Sequence, residues 1–137
     1  MARAVPKIRV LIADDQPLQR QGFRLVLESQ PDIEIVGEAG DGAQTLAQVR
    51  RTQTDVILMD IRMPRVNGLV AAKRITADAQ VRSLGAPPRI VLVTALDLDD
   101  HIPAADAAGA HTLLYKDVPP EMLLEAIRGA AASSGAE

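Results

Sequence analysis

The chain of 137 residues is long enough for one domain with a sizeable core and too short for two of ordinary size. Its apolar residues, 47% of the total, are spread out rather than massed, and no run approaches the roughly 18 that span a membrane; the start, Met1 to Lys7, lacks the apolar stretch of a secretion signal, so a cytoplasmic protein without membrane contact is expected. The lack of cysteine excludes disulfides and thiolate metal sites, two histidines (His101 and His111) leave any metal to oxygen ligands, and a net charge of −3 without a basic cluster argues against direct binding of nucleic acid.

Ile8-Arg9-Val10-Leu11-Ile12-Ala13 is a short aliphatic run that stops at Asp14-Asp15 and reads as the first strand. Pro17 suits the first turn of a helix, in which Leu18, Phe23, Val26 and Leu27 recur at helical spacing until Gln30-Pro31-Asp32 breaks it. Residues 33–39 form the second strand, whose partial alternation suggests a place near the sheet edge. The turn Gly40-Asp41-Gly42 leads into a second helix over residues 43–51. Val56-Ile57-Leu58-Met59-Asp60 reads as a strand buried on both faces that ends on a carboxylate, with Pro64 turning the chain at once. Asn67-Gly68 opens a third helix predicted to run to about residue 81 and to end at Ser83-Leu84-Gly85-Ala86-Pro87-Pro88.

Arg89-Ile90-Val91-Leu92-Val93-Thr94 is the fourth strand. Asp97-Leu98-Asp99-Asp100 should lead into a fourth helix, but an interior proline costs about 3 kcal/mol, so that helix is expected to start near Ile102 with Pro103 in its first turn and to end at Gly109. Thr112 to Tyr115 is the fifth strand, closed by Lys116. Pro119-Pro120 starts a fifth helix with Met122, Leu123, Ala126 and Ile127 as its apolar stripe, and the small, polar residues from Ala130 read as a fraying end or linker. Five strands alternating with five helices predict one α/β domain over residues 1–131 and a tail over 132–137. The expected architecture is a flavodoxin-like (βα)5 fold, a five-stranded parallel sheet of order 2-1-3-4-5 with helices on both faces.

In such a sheet the ends of strands one, three, four and five bring Asp14-Asp15, Asp60, Thr94 and Lys116 to the same edge. Carboxylates gathered in one crevice repel unless a cation sits among them, and oxygen-only ligation with positions left for water and phosphate favours Mg²⁺. Lys116 adds a compact positive charge and Thr94 a hydroxyl donor, which together with a metal are what a phosphoryl group needs during transfer. Asp60, at the centre, is the natural nucleophile for an acyl phosphate. Singly, each residue has a plainer reading: Asp14-Asp15 as a helix cap, Asp60 as a turn former, Thr94 as a strand-end hydroxyl, Lys116 and both histidines as solvated surface.

The chain resembles the receiver domains of two-component response regulators. The resemblance rests on Ala13-Asp14-Asp15-Gln16-Pro17, Gly37-Glu38-Ala39-Gly40-Asp41-Gly42, Asp60-Ile61-Arg62-Met63-Pro64 with Asn67-Gly68, Thr94-Ala95, and Ala108-Gly109-Ala110 through Leu114-Tyr115-Lys116-Asp117. It is most similar to the NarL/FixJ branch, whose receivers usually precede a helix-turn-helix DNA-binding domain. The resemblance implies a signalling switch rather than an enzyme: a histidine kinase phosphorylates Asp60, Asp14, Asp15, Asp60 and the backbone carbonyl of Arg62 hold Mg²⁺, Thr94 and Lys116 contact the phosphoryl oxygens, and Ala95 leaves room for them. It also implies a phosphorylation-dependent homodimer and an output in transcription through a domain absent from this chain. Where receivers usually carry a switch aromatic this chain has Leu113, and Tyr115, on the same strand face, is the candidate substitute.

Three other readings compete. A free-standing receiver would act by protein–protein contact. An Asp-nucleophile phosphatase would carry a second Asp two residues after the nucleophile, where Arg62 stands. A flavin binder would need a phosphate-cradling glycine loop after the first strand and aromatics to stack on the ring.

Overall fold

The computed structural model describes residues 7–95, 103–105 and 107–134. Five parallel strands, β1 (Ile8–Ala13), β2 (Ile33–Ala39), β3 (Val56–Asp60), β4 (Arg89–Thr94) and β5 (Thr112–Tyr115), lie in the order β2-β1-β3-β4-β5, the expected flavodoxin-like sheet. Side chains of a strand alternate between faces, so β3 sends Ile57 and Met59 into one core and Val56 and Leu58 into the other. Every residue of β3 is buried, which is why it shows no polar alternation in the sequence. β2 is an edge strand, as its mixed pattern suggested, and a bulge at Val36 shifts its register on β1 between Val10 and Leu11.

Helices α1 (Pro17–Glu28) and α5 (Pro120–Ser134) cover one face, packing Phe23, Leu27, Leu123, Leu124 and Ile127 on Val10, Ile12, Val56 and Leu58. On the other face α2 (Gly42–Arg51), α3 (Gly68–Ala77) and α4 (Ala79–Ser83) pack Val49, Ala71, Ala72, Ile75 and Val81 on Ile57, Met59, Ile90 and Leu92. Residues 103–105 and 107 are helical, and Ala105 and, in the turn that follows, Ala108 join that core. This segment ends as expected at Gly109, whose φ of 85° allows Ala110 N–H to donate to Ala105 O at 3.1 Å. Ile102, His101 and the acidic Asp97, Asp99 and Asp100 lie outside the described residues, as do 135–137 of the tail.

Four sequence expectations are corrected. The third helix breaks at Asp78, which takes an extended conformation (φ −73°, ψ 123°) and caps α4 by accepting from Val81 N–H at 2.9 Å. Leu18 is 82% exposed and Met122 49% exposed, so neither belongs to its helix's buried stripe. In α5, Leu124 and Ala130 are buried alongside Leu123 and Ile127, and the helix continues beyond residue 131 to Ser134. Among the described residues no helix is long and apolar enough to cross a membrane.

Candidate functional site

β1 and β3 are neighbours, so Asp14 and Asp15, just past β1, meet Asp60 at the end of β3. One carboxylate oxygen from each of the three lies within 4.8 Å of the others. Asp14 and Asp60 are buried, while Asp15 faces out over a cleft bounded by Ile61, Arg62, Met63 and Asn67. Asp14 Oδ1 accepts from the backbone N–H of Gln16 at 2.9 Å, turning the chain toward α1, and its carbonyl is held by the guanidinium of Arg20.

Lys116 enters from the opposite side. It follows β5, and its backbone N–H donates to Thr94 O at 2.9 Å, which carries the ladder one residue beyond the strand. Its ammonium donates to Asp60 Oδ2 at 2.9 Å and lies 3.3 Å from Asp14 Oδ2. Arg62 N–H reaches Asp60 Oδ1 at a long 3.2 Å. Burial pushes the Asp60 carboxyl above the ordinary aspartate range and the charge of Asp14 adds to that, against the pull of Lys116 and Arg62 N–H. For Lys116 burial works downward, but the carboxylates of Asp60 and Asp14 outweigh it and its pKa is raised. The pocket therefore confines more negative charge than one ammonium balances.

Thr94 is fully buried at the end of β4, beside the strand that delivers Asp60. Ala95, exposed, borders a second small cleft with Tyr115 and Lys116. Of the switch candidates, Leu113 packs against the α3-side core and Tyr115 is 39% exposed at the cleft. Gly68 is required here, because a Cβ would stand 2.3 Å from Asp60 O and 2.8 Å from the Cα of Ile61. That close approach lets Gly68 N–H donate to Ile61 O at 2.7 Å and closes the β3–α3 loop under the acid pocket.

The donor set fits a hard divalent cation. Among the described residues three carboxylates converge, every ligand atom gathered there is oxygen, and the buried Asp14 Oδ2 accepts no hydrogen bond although the ammonium is 3.3 Å away. Two residues beside the site carried no signal in the sequence. Arg20 joins Asp14 to Glu38, and Arg65 reaches buried Asp41 at 2.6 Å; both partnerships link residues distant in the chain.

A parallel sheet that gathers a buried aspartate, two further acids and a lysine at its carboxyl edge defines a class of α/β protein made to bind a charged ligand at a strand end. Residues 10–128 match the response regulator receiver domain family, and the chain belongs to that family. It is 46% identical over 125 residues to the uncharacterised transcriptional regulatory protein YxjL of Bacillus subtilis (strain 168), which covers 91% of this chain and 55% of that protein. It is 40% identical over 134 residues to the nitrate/nitrite response regulator protein NarP of Escherichia coli (strain K12), covering 98% and 59% of the two. The chain thus spans a little over half the length of these curated relatives. Among solved structures, the signal receiver domain of a NarL response regulator from Mycobacterium tuberculosis superposes with a TM-score of 0.79 at 32% identity, covering 97% of this chain and all of that one.

Proposed function

We propose that this receiver domain is a cytoplasmic switch that accepts a phosphoryl group on Asp60 from a histidine kinase. A carboxylate oxygen of Asp60 attacks phosphorus, an acyl phosphate forms, the phosphorus–nitrogen bond of the donor histidine breaks, and the departing nitrogen takes up a proton. Asp14, Asp15, Asp60 and the Arg62 carbonyl are the residues to hold Mg²⁺, which supplies charge neutralisation for the transferring group. Lys116 is set to move from the carboxylate to a phosphoryl oxygen, and the Thr94 hydroxyl to donate to another. The observation that carries this reading is the Lys116 ammonium held between two buried aspartates, 2.9 Å from one and 3.3 Å from the other.

The domain catalyses only its own phosphorylation and dephosphorylation. Its output is DNA binding and transcription through a helix-turn-helix domain in the longer protein, with phosphorylation-dependent dimerisation as the link. Incubation with acetyl phosphate and magnesium chloride should add one phosphate by intact mass, and Asp60→Asn should abolish the addition. Undiminished labelling of that variant would refute Asp60 as acceptor. Sedimentation with and without beryllium fluoride tests the dimer, and an unchanged monomer in both would remove it from the scheme.

A further inference from the structure

The loop between β3 and α3 carries the Arg62 carbonyl and bounds the acid pocket, so whatever fixes that loop also fixes the pocket. Its least expected residue is Arg65, a non-glycine at φ 65°. The left-handed region brings Cβ against the following carbonyl, so an arginine persists there only when its surroundings hold it. Its guanidinium donates to Asp41 Oδ2 at 2.6 Å, and Asp41 is buried although Arg65 itself is largely exposed. The other oxygen of Asp41 already accepts from Gln44 N–H at 2.8 Å and caps α2. An independent contact reinforces the join. A Cβ at Gly42 would stand 2.4 Å from Val66 O and 2.7 Å from Val66 Cβ, so the first residue of α2 and the loop meet backbone to backbone.

We propose that Arg65 is a positioning residue for the metal: its ion pair with Asp41 latches the β3–α3 loop to the start of α2 and holds the Arg62 carbonyl where a divalent cation needs it. This rests on the reading of Asp14, Asp15, Asp60 and Arg62 as the magnesium site. Arg65 touches neither metal nor phosphoryl group and acts through the loop. Partners that orient ligands from outside the coordination sphere typically change metal affinity by tenfold or more when removed.

The sign of the effect separates positioning from simple electrostatics. Taking a guanidinium away from an acidic pocket strengthens cation binding if charge alone matters. Loss of the latch weakens it. Magnesium chloride titrated calorimetrically into the unphosphorylated full chain should bind Arg65→Gly about tenfold more weakly than wild type. Glycine also relieves the left-handed backbone, so this variant folds without the strain of its parent. Asp41→Asn, which keeps the cap on α2, should weaken binding similarly, and the double variant should be no worse than either single one. Saturating magnesium should restore the phosphorylation rate of Arg65→Gly, giving a defect in metal affinity without one in maximal rate. Unchanged or tighter binding by Arg65→Gly, or additive effects in the double variant, overturns the latch. Wild type that binds no magnesium overturns the site reading itself and the latch with it.

Discussion

Lys116 is the residue on which the acid pocket balances. Its ammonium serves Asp60 and Asp14, both buried, and no histidine or arginine side chain among the described residues is hydrogen-bonded to either carboxylate. Lys116→Ala therefore leaves two like charges facing each other out of water. It should lower stability by about 2 kcal/mol in metal-free buffer at neutral pH. Magnesium should restore more stability to this variant than it adds to wild type, because the ion replaces the missing cation. Urea midpoints with chelator and with magnesium measure both, and equal gains in the two proteins would mean that the lysine does not balance the acids. Glycines give a matched contrast. Gly68→Ala drives a methyl group into the Asp60 carbonyl and should cost about 1–3 kcal/mol, whereas Gly129, in α5 with nothing within 4 Å of a new Cβ, should gain about 0.5–1 kcal/mol on the same change. Equal urea midpoints for the two variants would remove the steric account of Gly68.

At the scale of elements, the break between α3 and α4 depends on one carboxylate. Asp78 caps α4 and accepts from Arg50 of α2 at 2.6 Å, and that guanidinium first, then Val81 N–H, holds its pKa below the ordinary 3.8. A carboxyl with a lower pKa folded than unfolded contributes stability that is complete above the unfolded value and lost as pH falls through the folded one. Asp78→Asn should accordingly be less stable than wild type at neutral pH, and the gap should close below about pH 4. A gap constant down to about pH 2 would show that the charge is not the stabilising feature. This break was not legible in the sequence because the partner that holds Asp78, Arg50, lies on another helix. The strands were legible for the opposite reason: β1, β3 and β4 are largely buried, mostly apolar runs that end on, or are followed at once by, Asp or Thr, a local pattern. In α1 the pattern was ambiguous. Nine residues at about 100° each set Leu18 half a turn from Leu27, on the outward face with Leu25, and only packing decides which face is covered. The convergence of Asp14, Asp15, Asp60 and Lys116 was legible once the sheet order was assumed, since every one of them ends or follows a strand. Arg65 was not, because neither a left-handed backbone nor a partner 24 residues away leaves a local trace.

For the whole molecule, the acid pocket as a magnesium site would tie metal binding to folding. Asp14 and Asp15 follow β1 and Asp60 ends β3, with α1, β2 and α2 between them in the chain, so the three carboxylates meet only when the sheet is formed. A cation that binds the folded state alone stabilises it by RT ln(1 + [L]/Kd), about 2.7 kcal/mol at a hundredfold excess over Kd. For a domain of this size that corresponds to roughly 10 °C in Tm. Magnesium chloride should therefore raise Tm logarithmically with concentration, while sodium chloride of equal ionic strength, which only screens the pocket, should raise it far less. Asp15 is the carboxylate to remove in the control. It is exposed, so Asp15→Asn leaves the core and the Lys116 pairs in place and takes away one proposed ligand. In that variant the magnesium curve should fall toward the sodium curve. If Asp15→Asn responds to magnesium as wild type does, Asp15 is no ligand, and a response equal to that with sodium in wild type would reduce the pocket to an unspecific cluster of acids.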